Sequence, residues 1–395
     1  MPSRLLLNHH TAVLPAGARP GGAVHAFHQR LPGYAPTPLR DMPDLAAATG
    51  VGRVLVKDES SRMGLPAFKI LGASWATYRA LCARLGGEPE WASLDDLAAV
   101  VADRLGPLRL VTATDGNHGR AVARMAALLG LSATILVPDG TAAARIDGIV
   151  SEGAEVVVVP GTYDDAVTVS AGMESDRDLV VSDTSWPGYE DPPRWVVEGY
   201  STIFAEVDAQ LVGADGDDVV VSPEGVVVRA GAVVDVAVMP LGVGALGASA
   251  GACLRAGRQP DDGPLLIGVE PDTAACVAAA VAAGHVVEVP GHHRSIMAGL
   301  NCGLASMLAL PAIRATFDAF VAIDDDRCRQ AMRAHADAGM DVGETGAAAL
   351  AGLMAVVDEH RVELPLPDQA TVLLLATEGV TDPVNFASVV GRPPR

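Results

Sequence analysis

Residues 236–254 read VAVMPLGVGALGASAGACL, a run of 19 residues that contains no charged side chain. A run of this length and hydropathy would fit a membrane-spanning helix. However, Pro240 and four glycines, at positions 242, 244, 247 and 251, interrupt it, and such residues mark turns and loops. We therefore interpret the run as a strand, a glycine loop and a helix.

Short aliphatic runs alternate with longer helical patterns through most of the chain. The predicted strands are 53–57, 108–113, 133–137, 155–159, 234–239, 265–269 and 371–376. The predicted helices lie near 69–86, 117–130, 141–152, 162–174, 193–211, 245–258, 272–284 and 343–360. Because right-handed crossovers place helices on both faces of a sheet, this order predicts an α/β fold with mostly parallel sheets.

Length and composition restrict the class of protein. The chain has 395 residues, which is enough for two domains of ordinary size. Half of its residues are hydrophobic and 19% are charged, so a disordered or fibrous protein is excluded. The 28 Lys and Arg against 48 Asp and Glu give a net charge of -20. Since phosphate-backbone binding needs a basic face, we expect no nucleic-acid partner.

The cysteines favour a reducing compartment. They are scattered over the chain and lack the spacing of a disulfide framework or a metal site; they are Cys82, Cys253, Cys276, Cys302 and Cys328. The leucine run at positions 5–7 is too short for the apolar segment of a signal peptide. We expect a cytoplasmic protein that binds no metal and has no membrane partner.

One lysine is a candidate nucleophile. In VLVKDESSRMGLPAFKILGAS, residues 54–74, Lys69 is the only charge for several residues on either side. A lysine with hydrophobic neighbours can have a lowered pKa and serve as a Schiff-base amine. The alternative is a lysine whose ammonium simply reaches solvent.

Two glycine-containing loops lie between a predicted strand and a predicted helix. DGNHG at 115–119 and GVGALG at 242–247 both end at a helix start, where exposed N–H groups bind anions. The first loop could equally be an N-capped turn without a ligand. The second suits a phosphate, and a dinucleotide is the weaker interpretation because the loop lies late in the chain.

Two further segments are informative. Asp183, beside Thr184 and Trp186, is a candidate general acid or base, although loop aspartates more often form turns. Between 213 and 231, two Val triplets flank Ser222-Pro223-Glu224-Gly225. Proline at the second turn position and glycine at the fourth predict a hairpin inserted into the α/β pattern.

Six collinear segments resemble the fold type II family of pyridoxal-5′-phosphate enzymes, and within it the diaminopropionate ammonia-lyases. The resemblance covers residues 53–383. The segments are KDESSRMGLPAFKILGAS (57–74), TATDGNHGRAVA (112–123), SDTSWPGY with WVVEGY (182–200), IMAGLNCG (296–303), VGETGAAAL (342–350) and ATEGVTDP (376–383).

The resemblance implies a cofactor site. Lys69 would hold pyridoxal 5′-phosphate as a Schiff base, Asn117 would contact the ring hydroxyl oxygen, and Thr377 would be the neutral partner of the pyridine nitrogen. The phosphate would lie on Gly242, Val243, Gly244, Ala245 and Leu246. A hydroxyl partner leaves the ring a weaker electron sink, which favours elimination from a substrate with a good β leaving group.

The resemblance also implies a substrate site and an activity. Asp115 and Asp183 would be catalytic, and the substrate would bind to Thr114, Asp115, Gly116, His118 and Asp183. The implied reaction is α,β-elimination of a β-substituted amino acid, 2,3-diaminopropionate giving pyruvate and two ammonia. Serine or threonine deamination, β-replacement through aminoacrylate, and a non-enzymatic binding role remain the alternatives.

The resemblance further implies an organisation in two domains and a homodimer. Residues 1–80 with 191–395 would form the cofactor-binding domain, and 81–190 a smaller mobile one. Cys276 and Cys302 would approach each other near the mouth of the active site, where a reducing compartment favours thiols over a disulfide.

Overall fold

The structure is a computed structural model that describes residues 2–10, 12–114, 116–215, 220–222, 225–227, 234–259 and 262–395, with backbone alone at 213–215, 220–222 and 225–227. Its strands are β1 Arg4–Leu7, β2 Leu39–Asp41, β3 Arg53–Asp58, β4 Arg109–Ala113, β5 Ser132–Pro138, β6 Glu155–Val159, β7 Asp178–Val180, β8 Val220–Ser222, β9 Gly225–Val227, β10 Val236–Pro240, β11 Leu265–Pro271, β12 Ala319–Ile323 and β13 Thr371–Ala376.

The helices alternate with these strands. They are α1 Ala23–His28, α2 Pro43–Thr49, α3 Ile70–Leu85, α4 Leu94–Leu105, α5 Asn117–Leu128, α6 Ala143–Val150, α7 Tyr163–Ala171, α8 Asp191–Gly199, α9 Ser201–Asp215, α10 Ala245–Arg255, α11 Cys276–Ala283, α12 Leu310–Thr316, α13 Asp325–Asp337, α14 Glu344–Glu359 and α15 Pro383–Val390. Short 3-10 turns occur at Ala16–Ala18 and Ala298–Leu300.

The larger sheet has the strand order β1-β12-β11-β10-β13-β3-β2, with antiparallel pairing at its two edges and parallel pairing between. Alternate residues of each strand face two different cores. Val236 and Val238 pack on the side of α14, whereas Ala237 and Met239 face the core that is shared with the smaller sheet. Because both faces are covered, β10 is buried at every position and reads as an uninterrupted apolar run.

The smaller sheet has the order β6-β5-β4-β7 and is parallel throughout. Its residues lie within 109–180. The α/β class with mostly parallel sheets is therefore confirmed. The division into domains at residues 80 and 190 stays a prediction.

The uncharged run 236–254 folds as predicted: β10, a glycine loop and α10. Among the helices described, none has the length and apolar character that a bilayer span requires. The antiparallel pair β8 and β9 agrees with the predicted hairpin, whose two central turn residues lie outside the described part.

The single helix predicted over 193–211 is wrong, because the structure has two helices, α8 and α9. The break follows Gly199, where α8 crosses α3 so closely that a Cβ on Gly199 would lie 2.5 Å from the carbonyl oxygen of Leu71. Glycine at the crossing permits this approach of the two backbones.

Candidate active site

The candidate active site is a cleft at the carboxyl ends of strands from both sheets, the position at which open α/β sheets bind ligands. Segments that follow β3, β4, β7, β10 and β13 all contribute to its wall. The lining residues are Phe68, Lys69, Ala113, Thr114, Asn117, His118, Tyr163, Asp183, Pro240, Gly242, Val243, Gly244, Ala245, Leu246, Gly299, Leu300, Cys302, Thr345, Thr377 and Glu378.

A short antiparallel bridge positions Lys69. Ala67 bridges to Glu378, and the amides of Phe68 and Gly379 donate to the carbonyls of Thr377 (3.4 Å) and Pro66 (2.9 Å). Lys69 follows this bridge directly, as the residue before α3. Its amine is thereby held on the same side of the cleft as Thr377.

The Lys69 amine forms an ion pair with a buried acid. Its Nζ lies 2.8 Å from Oδ2 of Asp183, and it lies 5.5 and 6.0 Å from the ring centroids of Phe68 and Tyr200. The side chain of Lys69 is 20% exposed and that of Asp183 is 6% exposed. The amine thus faces a partly accessible space beside an aromatic wall.

Asp183 is ionised in this setting. Burial opposes its ionisation, but the neighbouring Lys69 ammonium outweighs burial and holds the pKa of Asp183 well below its usual range. The hydroxyl of Tyr163 donates to the other carboxylate oxygen, Oδ1, at 3.0 Å. One carboxylate therefore binds an amine on one side and a phenol on the other.

The glycine loop meets α10 at its N-terminus, where the first backbone N–H groups lack partners within the helix. Gly244 has φ +101°, and a Cβ there would lie 2.8 Å from Cδ1 of Ile313. A Cβ on Gly242 would lie 3.0 Å from the carbonyl oxygen of Gly299. No acidic side chain occupies the first turn of α10. The loop is suited to an anion such as a phosphate.

The loop between β4 and α5 is held by Thr114. Its hydroxyl accepts hydrogen bonds from the amides of Gly116 (2.9 Å) and Gly119 (3.0 Å). Thr114 lines the cleft, while Gly116 lines an adjoining cavity. Asp115, which the sequence places between them, lies outside the described residues.

His118 is buried and neutral. Burial lowers the pKa of His118, and its Nε2 lies 2.8 Å from the carbonyl oxygen of Val181. Because that oxygen can only accept, Nε2 carries the proton. Nδ1 is buried and has no hydrogen-bond partner among the described residues, which leaves it as an acceptor.

Asn117 and Thr377 are connected to buried partners. The side-chain amide of Asn117 donates to Oε2 of Glu378. The hydroxyl of Thr377 donates to the carbonyl of Thr345 at 3.3 Å, which leaves the lone pairs of that hydroxyl as acceptors.

The structure brings most of the residues predicted as a site into one cleft: Lys69, Thr114, Asn117, His118, Asp183, Gly242, Val243, Gly244, Ala245, Leu246 and Thr377. Sequence reasoning missed Tyr163, Thr345 and Glu378. Glu378 directly follows Thr377 in a segment already recognised, and Thr345 lies in VGETGAAAL. For Tyr163 the sequence offers no signal, because an aromatic residue at the start of a helix has no distinctive pattern.

Cys276 and Cys302, both thiols in the structure, lie near Gly242. The Cys276 thiol donates to the carbonyl of Gly242 at 3.5 Å, and a Cβ on Gly242 would lie 3.5 Å from Sγ of Cys302. Both thiols therefore lie near the glycine loop of the cleft.

Comparison with known proteins identifies relatives over most of the chain. Residues 30–378 match the family described as pyridoxal-phosphate dependent enzyme. Diaminopropionate ammonia-lyase from Escherichia coli K12 is 35% identical over 376 residues, which cover 92% of this chain and 89% of that protein. L-serine dehydratase/L-threonine deaminase from Bos taurus is 31% identical over 46% of each chain.

The fold agrees with this relationship. The crystal structure of holo diaminopropionate ammonia lyase from Escherichia coli superimposes with a TM-score of 0.85 at 32% identity, covering 99% of this chain and 97% of that one. A second crystal structure of that enzyme, in complex with an aminoacrylate-PLP azomethine reaction intermediate, gives a TM-score of 0.83.

Proposed function

The chain belongs to the pyridoxal-phosphate dependent enzyme family, and we propose that it eliminates ammonia from 2,3-diaminopropionate. The products are pyruvate and two ammonia, with one water consumed. The observation that carries the proposal is the pairing of Lys69 with the buried Asp183 carboxylate in one cleft. A leaving β-amine departs readily only when it is protonated, so a buried acid that binds an ammonium suits this substrate.

The residues of the cleft fit pyridoxal 5′-phosphate. The loop 242–246 at the start of α10 has no room for side chains at its two glycines and is suited to the phosphate. Lys69 is the amine that would hold the cofactor, and Thr377 offers a neutral hydroxyl. When bound, the cofactor supplies an electron-withdrawing ring that stabilises negative charge at the substrate's Cα.

Asp183 would bind the β-ammonium of the substrate. In the structure its Oδ2 accepts from the Lys69 ammonium, and a substrate ammonium has the same charge and the same kind of donors. Tyr163 would keep the carboxylate oriented through Oδ1. Asp183 would thereby hold a proton on the leaving nitrogen until the Cβ–N bond breaks.

The substrate's α-carboxylate would bind at the start of α5, where helix N–H groups are available to an anion. Thr114 would fix the shape of this loop through its bonds to Gly116 and Gly119. His118 is neutral and buried, so it would not draw the substrate's carboxylate away from the helix N–H groups by a positive charge. The Lys69 amine would take the Cα proton of one substrate enantiomer.

Asp115 would take the Cα proton of the other enantiomer. A single base reaches the Cα–H on one face, whereas the mirror-image substrate presents it to the opposite face. The family resemblance gives Asp115 that second position. Asp115→Asn should therefore reduce turnover of the D-isomer by about 10²- to 10⁴-fold and affect the L-isomer far less. Equal losses for both isomers would exclude a two-base mechanism.

A substrate panel tests the proposed function. Purified holoenzyme is given each enantiomer of 2,3-diaminopropionate and of serine, and L-threonine, while pyruvate, 2-oxobutanoate and ammonia are measured together. Two ammonia per pyruvate from diaminopropionate, at a higher kcat/KM than any hydroxy amino acid, is the expected result. A preference for serine or threonine would instead identify a dehydratase, the activity of the bovine relative.

We also propose a cytoplasmic homodimer with a cofactor-binding domain of residues 1–80 and 191–395 and a smaller domain of 81–190. The scattered spacing of the five cysteines in the sequence supports the compartment. The location of the four-stranded sheet within 109–180 supports the boundaries. Light scattering during gel filtration would measure the mass, and a monomer would contradict the assembly.

A further inference from the structure

A cavity of about 210 Å³ adjoins the cleft, on the far side of Gly116 and Asn117. Its wall carries two arginines, Arg120 on α5 and Arg145 on α6. The side chain of Arg120 is 28% exposed, and its Nε lies 3.1 Å from Oε1 of Glu152. Arg145 is different, because its side chain is 7% exposed and points toward two buried carboxylates.

These carboxylates are Glu344, at the start of α14, and Glu378, after β13. Nη2 of Arg145 lies 3.8 Å from Oε2 of Glu344 and 3.9 Å from Oε1 of Glu378. The two acid side chains are 3% and 1% exposed. Two acidic side chains therefore share one buried cation.

The two acids differ in their hydrogen bonds. Glu378 accepts from the Thr345 amide at 3.0 Å through Oε1 and from the Asn117 side chain through Oε2. Glu344 accepts from the Asn385 side chain through Oε1, and its Oε2 has no hydrogen-bond partner among the described residues. Glu378 is an acceptor at both oxygens, as an ionised carboxylate must be.

Arg145 also supports the loop itself. A Cβ built on Gly116 would lie 3.3 Å from Cδ of Arg145, so the arginine stem packs under the residue that precedes Asn117. One side chain of α6 thus contacts the loop and lies beside the acid that binds Asn117.

We propose that Arg145 is a positioning residue for the cofactor cleft: it balances the charge of Glu378, and Glu378 holds the side-chain amide of Asn117 in place. The inference rests on the proposed function, in which Asn117 contacts the cofactor. An ionised carboxylate can only accept, so the Asn117 side-chain atom that faces Glu378 must be the amide nitrogen. One of its two hydrogens binds Glu378, and the second stays available for another acceptor.

The groups around Glu344 and Glu378 determine how the two acids would respond to the loss of Arg145. Burial and then the Glu378 carboxylate raise the pKa of Glu344. Cys328 is a further titratable group beside Glu344: its thiol donates to the carbonyl of Glu344 at 3.2 Å, and its pKa is raised well above its ordinary value, chiefly by burial. Without Arg145, the two acids lose the cation between them, so they should repel each other wherever Glu344 is ionised, and the repulsion should displace Glu378.

The test measures cofactor affinity of the apoprotein by absorbance titration with pyridoxal 5′-phosphate, at about pH 6 and about pH 9. Arg145→Gln should weaken binding about tenfold near pH 9, where both acids are ionised, the scale of a lost hydrogen bond to a charged group. The loss should be smaller near pH 6, where the raised pKa of Glu344 favours its neutral form and removes the repulsion. Arg120→Gln, in the same cavity wall, is the matched control and should bind as wild type does.

A second substitution separates charge from packing. Arg145→Gln combined with Glu344→Gln leaves a single carboxylate, so affinity should return to within about twofold of wild type at both pH values. Arg145→Lys keeps the charge and should lie close to wild type, which provides a variant if Arg145→Gln does not fold. Equal affinity of Arg145→Gln and wild type, or no recovery in the double variant, would overturn the inference. Failure of wild type to bind the cofactor would instead reject the proposed function.

Discussion

Lys57 and Lys69 are the only two lysines in the 395 residues, and the structure gives them opposite surroundings. Lys57, in β3, is fully buried, and its Nζ donates to Glu206 Oε2 (2.7 Å), Thr37 carbonyl (2.7 Å) and Gln210 Oε1 (3.0 Å). All three ammonium hydrogens are used. Lys69 lies at a cleft wall that also has a glycine loop. A buried amine is therefore not reactive by virtue of burial; it needs adjoining space for a reacting group.

The surroundings of Lys57 form a balanced ionic cluster. Arg62 donates to Glu59 and Glu206, and all four charged side chains are at most 1% exposed. Burial lowers the pKa of Lys57, and the ion pair with Glu206 opposes that shift. The cluster connects α9 to β3 and to the loop that leads to Lys69. Its role is to fix that loop.

Lys69→Ala should produce the largest loss of activity. Removing both the amine that would hold the cofactor and the proposed base should reduce turnover by about 10⁴-fold or more. The variant also leaves the buried Asp183 carboxylate without its cation, so the apoprotein should lose some stability, and cooperative thermal unfolding checks that it is still folded. Turnover would be followed by pyruvate release. In the wild type, borohydride reduction followed by peptide mapping should place the cofactor on Lys69, and a label on Lys57 would reverse the comparison.

Lys57→Met, in contrast, should reduce the stability of the protein. It leaves the buried Glu206 carboxylate without one of its two cations, which should cost about 3–5 kcal/mol of unfolding free energy. Urea unfolding measures the loss. Arg53→Met removes an ion pair with Asp41 whose partners are 36% and 51% exposed, so it should cost less than about 1 kcal/mol. A similar cost for both would mean that the buried cluster contributes little.

Asp183→Asn should reduce turnover, because it removes the carboxylate that pairs with Lys69. The amide keeps the size of the side chain but loses the charge that binds an ammonium, and turnover of both diaminopropionate enantiomers should fall about 10²-fold. Asp164→Asn is a useful control, because Asp164 follows Tyr163 on the same helix and accepts from the Gly303 amide at 3.0 Å instead. Turnover of Asp183→Asn at the wild-type rate would remove Asp183 from the mechanism.

Several elements of the fold could be predicted because their signals are local. The interrupted apolar run 236–254 predicted β10, its loop and α10, and buried parallel strands such as β13 read as continuous aliphatic runs. The missed helix α4 had a signal, since Ser93 and Asp96 form a capping box. The edge strands β1 and β2 are short and half-exposed, and only their pairing across the chain defines them.

The residues of the site also divide into those that a local sequence pattern identifies and those that only the folded structure brings together. The sequence identified the loops that bear Lys69, Asn117 and the glycines, because a strand end followed by glycine and a helix start is a local pattern. Arg145 and Glu344 come together from α6 and α14, nearly 200 residues apart. No local pattern predicts this contact, because it depends on how the small sheet and its helices pack against the large one.

Tyr163→Phe should give the smallest effect and the most specific one. Its hydroxyl donates to Asp183 Oδ1, while Lys69 supplies the larger lowering of the Asp183 pKa. When the Lys69 ammonium is not beside Asp183, burial raises the pKa of that carboxyl, and the hydrogen bond from the Tyr163 hydroxyl still opposes burial. Turnover should fall about three- to tenfold.

The pH dependence of Tyr163→Phe distinguishes this role from packing. The proposed mechanism needs Asp183 ionised, and that form is lost as pH falls. Removing a donor to the carboxylate raises its pKa, so the acidic limb of kcat/KM for L-diaminopropionate should move to higher pH than in wild type. Tyr78→Phe, whose ring packs in the core on Phe27, should leave the limb unchanged. An unshifted limb with reduced turnover in Tyr163→Phe would mean that the phenol only fills space beside Asp183, and that the ionisation of Asp183 depends on its charged neighbours rather than on Tyr163.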